Sequence, residues 1–99
     1  MIDFTLILGF DWDDGNSRKN EKHGVSGAEA EQVFLDSQIV VTSDIDHSAV
    51  EARYQALGET LDRRRLHVSF TLRQNESLIR IISARDMNRK ERARYENQA

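Results

Sequence analysis

The 99-residue sequence has no cysteine, no proline, five glycines and one tryptophan. Without cysteine there is no disulfide framework and no thiol chemistry, which fits a reducing compartment. Gly15, Gly24, Gly27 and Gly58 stand alone as turn or cap glycines, so there is no glycine-rich phosphate loop, and no Gly-x-Ser-x-Gly nucleophile elbow is present. His23, His47 and His67 are far apart and none is in an HExxH-type pairing, so the spacing argues against a metal centre. The apolar N-terminal stretch, Met-Ile-Asp-Phe-Thr-Leu-Ile-Leu-Gly, carries an acid at position 3 and lacks a small-residue cleavage site. It is too short for a signal peptide or a membrane span, and reads as the first strand of a cytoplasmic protein. There is no repeat, low-complexity tract or linker, so residues 1–99 read as one domain. The hydrophobic fraction of 38% implies a thin core, to which a partner protein could add stability by mass action.

What is present is charge, unevenly distributed. Residues 1–62 hold 4 Lys/Arg against 13 Asp/Glu, a balance of −9; residues 63–94 hold 10 against 3, a balance of +7; Glu96 completes the net −3. A net charge near neutral thus hides a cationic last third, the usual electrostatic footprint of a phosphate-bearing partner.

Local patterns suggest the elements. Phe4–Trp12 is apolar enough for a strand, and Asp13-Asp14-Gly15-Asn16 has turn chemistry. Ser17–His23 reads as a short helix closed by Gly24. Ser26 and Glu29 form a capping box for a helix to about Asp36, with Ala30, Val33 and Phe34 inward. Gln38–Thr42 reads as a strand, Ser43–Ser48 as a loop and Val50–Leu57 as a weakly alternating strand. In Arg65–Arg73, Leu66, Val68, Phe70 and Leu72 alternate with polar residues, the pattern of a half-buried strand. Gln74-Asn75-Glu76 is a hairpin connection to Leu78–Ala84, apolar on both faces and therefore expected to be central. Asp86 or Asn88 caps a last helix to about Asn97, whose few apolar residues predict weak docking. The order β-α-α-β-β-β-β-α predicts an α+β fold with a small antiparallel sheet flanked by helices.

The remaining chemistry is cationic and acid/base. Guanidinium groups suit phosphates because they donate two hydrogen bonds in a planar fork and stay charged. Cleavage of a phosphodiester by its own 2′-hydroxyl needs a base, cations for the phosphorane and an acid for the leaving oxygen. Lys22, His23, Arg65, Arg85, Glu91 and Tyr95 would be a sufficient kit without metal. Simpler readings stand beside this one. The basic last helix also reads as a solvated face with i,i+4 pairs, Lys22-His23-Gly24 as a helix end, and Arg63-Arg64-Arg65 as protection of a strand edge. Trp12 reads as a core anchor rather than a stacking platform.

Several motifs nevertheless fall together in order. Trp12-Asp13-Asp14-Gly15-Asn16 with Lys19-Asn20, Lys22-His23-Gly24-Val25-Ser26 and Glu29-Ala30-Glu31-x-Val33-Phe34 resemble the N-terminal signature of BrnT-type toxins. Arg53-Tyr54-x-Ala56-Leu57-Gly58-x-Thr60, Arg65-Leu66-x-Val68-x-Phe70-Thr71, Ile81-Ile82-Ser83-Ala84-Arg85-Asp86-Met87-x-Arg89-Lys90-Glu91-Arg92 and Tyr95-Glu96 are similar to its later segments. Almost the whole chain is covered. Two departures are visible: Glu21 fills a shorter gap before Lys22, a change worth about 100° of helix rotation, and Arg64 stands where relatives often have glycine.

The resemblance implies a RelE-like ribonuclease fold and the toxin half of a type II toxin–antitoxin pair. It implies an endoribonuclease that needs no metal or cofactor, cleaves RNA and halts translation. The implied partner is a ribbon-helix-helix antitoxin of the BrnA kind, in an assembly of two toxins with two antitoxins that reaches operator DNA through the antitoxin; no membrane is involved. Carried over by position, and joined to the kit above, the expected catalytic residues are Lys22, His23, Arg53, Arg65, Arg85 and Glu91. The expected RNA-binding residues are Arg64, Arg80, Arg89, Lys90 and Arg92. Two alternatives remain: a catalytically weak binding module acting with its antitoxin in autoregulation, and a nucleic-acid-binding domain with no toxin role.

Overall fold

A computed structural model describes residues 2–47 and 51–98. It is α+β, with a five-stranded sheet in the order β1-β5-β4-β3-β2. The strands are β1 (Gly9–Phe10), β2 (Val40–Ser43), β3 (Tyr54–Glu59), β4 (Arg65–Arg73) and β5 (Leu78–Asp86). The helices are α1 (Asp14–Lys22), α2 (Gly27–Gln32) and α3 (Arg89–Glu96). Among the described residues, no helix is long and apolar enough to cross a membrane.

The elements follow the expected order, with instructive differences. Strands β2 to β5 pair antiparallel, but β1 runs parallel to β5, so the sheet is mixed rather than antiparallel. The long apolar N-terminal stretch supplies only those two strand residues, preceded by a 3-10 turn at Phe4–Leu6. The expected turn at Asp13–Asn16 is instead the start of α1: Asp13 accepts from the Gly15 and Asn16 N–H groups, and the Asn16 side chain accepts from the Asp13 N–H. Asn16 then donates to the carbonyls of Asp11 and Ile81, at 2.9 and 2.8 Å, so α1 covers part of the β5 edge that the short β1 leaves uncovered. The central strand is β4, with β5 between it and β1. In the expected Val50–Leu57 segment the strand begins at Tyr54; Val50, like Ser48 of the preceding loop, lies outside the described residues.

One sheet face carries the core. Leu66, Val68 and Phe70 of β4, Ile79, Ile81 and Ala84 of β5, and Ala56 of β3 meet Val25, Ala30 and Val33. Phe34 packs edge-on against Phe70, ring centroids 5.0 Å apart, in the geometry that favours the aromatic quadrupoles. Gly24, with φ of +69°, turns the chain between α1 and α2, and the Ser26–Glu29 capping box starts α2. On the opposite face, α3 covers one end of the sheet through Met87 and Tyr95, which pack with Leu57. Its sparse apolar surface is supplemented by polar ties. The Tyr95 hydroxyl donates to Asp36 Oδ2 at 2.5 Å, Arg65 pairs with Glu96, and the Arg65 guanidinium lies 5.4 Å from the Tyr95 ring centroid.

Candidate nucleic-acid interface

The rest of that second face is an open polar groove. Its wider part, about 420 Å³, is lined by Lys19, Asp44, Arg53, Gln55, His67, Ser69, Ile82, Ser83, Arg85 and Glu91. A narrower part of about 250 Å³ shares Lys19, Arg53 and Ile82 and adds Arg73 and Arg80. Two comparable hollows, one by Trp12 and Val25 and one by Phe4 and Tyr54, do not gather cations in this way.

A β-bulge builds the wider part. Near the hairpin turn Thr71 opposes Arg80 and Leu72 opposes Ile79; beyond Ser69/Phe70 the register shifts by one, so that Ser69 opposes Ser83 and His67 opposes Arg85. Ile82 is the extra residue, and Ile82 and Ser83 both line the groove. Without the shift His67 would oppose Ala84, and Arg85 would fall on the other face.

Arg85 is held by the start of α3. Asn88 caps the helix and Glu91 is the third residue of its capping box, accepting from the Asn88 N–H. The same carboxylate receives the Arg85 fork: Nη1 and Nη2 donate to Oε1 and Oε2 at 2.8 and 2.9 Å. Burial pushes the Glu91 carboxyl up, but the Arg85 guanidinium, the Asn88 N–H and, at acid pH where it is protonated, His67 outweigh it and leave it below its ordinary value. His67 Nε2 lies 3.8 Å from Glu91 Oε2, beyond hydrogen-bonding distance. Burial lowers the affinity of His67 for a proton, Arg85 and Arg94 lower it further, and Glu91 opposes them without prevailing. At neutral pH Arg85 therefore lies beside the Glu91 carboxylate and an uncharged His67 imidazole, with Arg53 and Lys19 farther along the groove.

Of the residues expected from sequence, Arg53, Arg85 and Glu91 come together in the groove, and Arg80 lines its narrower part. Arg80 is also tied to the N-cap of α1, 3.0 Å from Asp13 and 3.6 Å from Asp11. Lys22 and His23 are exposed at the end of α1, and it is Lys19, one turn earlier, that lines the groove. Arg65 pairs with Glu59 and Glu96 beside α3. Arg64 is elsewhere: it grips Asp86 at 2.8 Å, Glu29 at 3.2 Å and the Gly24 carbonyl at 3.0 Å, joining β5 to α2. Arg89 and Lys90 are exposed on the first turn of α3, and Arg92 donates to the Met87 carbonyl. The sequence does not mark Lys19 or His67 as site residues. The polar alternation of β4 marks His67 as outward-facing, but its opposition to Arg85 depends on the bulge.

The cationic third is also less cationic in space than in sequence. Arg64, Arg65, Arg73 and Arg80 each meet a carboxylate from residues 1–62, namely Glu29, Glu59, Glu51 and Asp13. Among the described residues, no group of three or more His, Cys, Asp or Glu side chains is placed to hold a metal ion.

A small α+β fold whose open sheet face gathers arginine, lysine, histidine and glutamate carries side chains of the kinds that hold phosphate and exchange protons. Its family is narrower than that: residues 12–91 match the family described as "Ribonuclease toxin, BrnT, of type II toxin-antitoxin system", and the chain belongs to it. Comparison with curated proteins found no match.

Proposed function

We propose that the protein is a metal-independent endoribonuclease that halts translation by cleaving RNA, and that the groove around Arg85 and Glu91 is its active site. The carrying observation is the bidentate Arg85–Glu91 pair in a hollow shared with Arg53 and Lys19, in a chain whose family is one of ribonuclease toxins. Arg85 already presents a planar fork to two oxygens; a phosphodiester entering the groove takes the place of the carboxylate, and Arg53 and Lys19 approach its other oxygens. These charges favour the phosphorane over the ground state, because negative charge accumulates on its equatorial oxygens. Arg80 guides the strand along the narrower part, and Arg89 and Lys90 meet the phosphates on leaving the groove.

In this reading Arg64 and Arg65 hold the fold through their carboxylates, and Lys22 and His23 act at the rim. The protein works in the cytoplasm, where its substrate is. Its antitoxin is a ribbon-helix-helix protein of the BrnA kind, joined in a two-plus-two assembly that meets operator DNA through the antitoxin.

The test is cleavage of a defined RNA in excess EDTA, with identification of the new ends. The expected products carry a 2′,3′-cyclic phosphate or 3′-phosphate. Arg85→Ala should lower the rate by about 100-fold or more, the scale of losing one preorganised charge-stabilising donor. Activity that requires an added divalent ion would refute the metal-free scheme, and an unchanged rate for folded Arg85→Ala would remove Arg85 from it.

A further inference from the structure

We propose that His67 is the general base of RNA cleavage in this chain, taking the proton from the attacking 2′-hydroxyl. The inference rests on the ribonuclease reading and assigns a residue that the family's motifs leave open. His67 is the third residue of the central strand, across from Arg85 on β5, and both line the wider part of the groove. A phosphate held by Arg85 therefore lies next to the imidazole. Glu91, whose Oε2 is 3.8 Å from Nε2 while it holds Arg85, is released from the fork by the incoming phosphate and can turn to the imidazolium once it forms. The charged groups around the ring are Arg85 on β5, Glu91 and Arg94 on α3, and, along the groove, Arg53, Asp44 and Lys19.

The 2′-oxygen forms a bond to phosphorus as its proton moves to His67 Nε2. The bond from phosphorus to the 5′-oxygen breaks, and that oxygen leaves with a proton from the Lys19 ammonium. The products are a 2′,3′-cyclic phosphate and a 5′-hydroxyl; His67 and Lys19 return to their starting states through water. A base needs to be unprotonated at the working pH, and burial together with Arg85 keeps the imidazole uncharged there.

The experiment is the pH dependence of kcat/KM for RNA cleavage by the wild-type protein and by His67→Gln and His67→Ala. Wild type should lose activity on an acid limb below pH 6.5, the ordinary histidine value. The variants should cleave about 100- to 10,000-fold more slowly and lack that limb. Added imidazole should restore part of the activity of His67→Ala, which a structural role for the ring would not produce. A wild-type profile flat between pH 5 and 7 overturns the assignment even if both variants fail to fold. So does a folded His67→Gln that cleaves at the wild-type rate, or an acid limb that survives in it. Wild type that cleaves no RNA overturns the ribonuclease reading itself, and the assignment with it.

Discussion

Position 58 should not tolerate even a methyl group. Gly58 lies in β3, opposite Leu66, and passes directly over the turn that carries Val33. A Cβ there would stand 2.7 Å from Val33 Cγ1 and 3.1 Å from the Val33 carbonyl oxygen, closer than the roughly 3.5–4.0 Å of an ordinary carbon contact. Neither side can retreat easily. Val33 is fully buried, and the Glu59 N–H donates to Asp36 Oδ2 at 2.8 Å, tying the strand to the end of the same turn. Gly58→Ala therefore forces either an off-rotamer Val33 or a shift of β3, and overpacking of this kind costs about 1–3 kcal/mol. In a domain of this size each kcal/mol lowers Tm by about 4–8 °C, so calorimetry should find a drop of about 5–20 °C. The double variant with Val33→Ala should be more stable than the sum of the single effects predicts, by about 1 kcal/mol or more, since the second change removes the obstructing methyls. A Tm equal to wild type for Gly58→Ala, or strict additivity in the double variant, would refute the reasoning.

Tyr95→Phe removes a hydroxyl that donates to a carboxylate and should cost about 1.5–3 kcal/mol, read by urea unfolding; amides of α3 should exchange faster with solvent, because Tyr95 ties that helix to Asp36. The native state holds His67 below its ordinary proton affinity, so below about pH 6.5 the unfolded chain binds a proton that the folded chain refuses. Stability is then complete above that value and falls with pH toward the native one. Urea unfolding at pH 7.5 and 5.5 should show His67→Gln with a smaller loss than wild type, while equal losses would contradict the assigned environment.

Much of the scaffold is legible in the sequence because it depends on neighbours within a few residues. The Ser26–Glu29 box, the Gly24 stop, the alternation of β4, the hairpin turn after Arg73 and the Asn88 cap are all local, and all are present. Less legible is what depends on distant partners. An apolar stretch at Phe4–Trp12 does not reveal that it will meet β5 in parallel over two residues. Two-residue periodicity in Leu78–Asp86 places Arg80 and Arg85 on opposite faces, whereas one bulged residue puts both in the groove. Nor does a run of arginines show which of them will be neutralised. Arg64 and Arg65 are neighbours in one run; the first meets Glu29 and Asp86, and the second meets Glu59 and Glu96.

The long-range ion pairs make the protein its own counterion atmosphere. Binding of a polycation to nucleic acid is driven largely by release of small ions condensed on the nucleic acid, and the slope of log K against log salt reports how many phosphates are neutralised. Residues 63–94 offer ten cations, but Arg64, Arg65, Arg73, Arg80 and Arg85 are already engaged by carboxylates. A phosphate that displaces a carboxylate from Arg85 exchanges one anion for another. The salt slope of RNA association should thus be well below what a count of basic residues suggests. In the site proposed above, the favoured RNAs would be those that place a phosphate where it competes with Glu91 for the Arg85 fork.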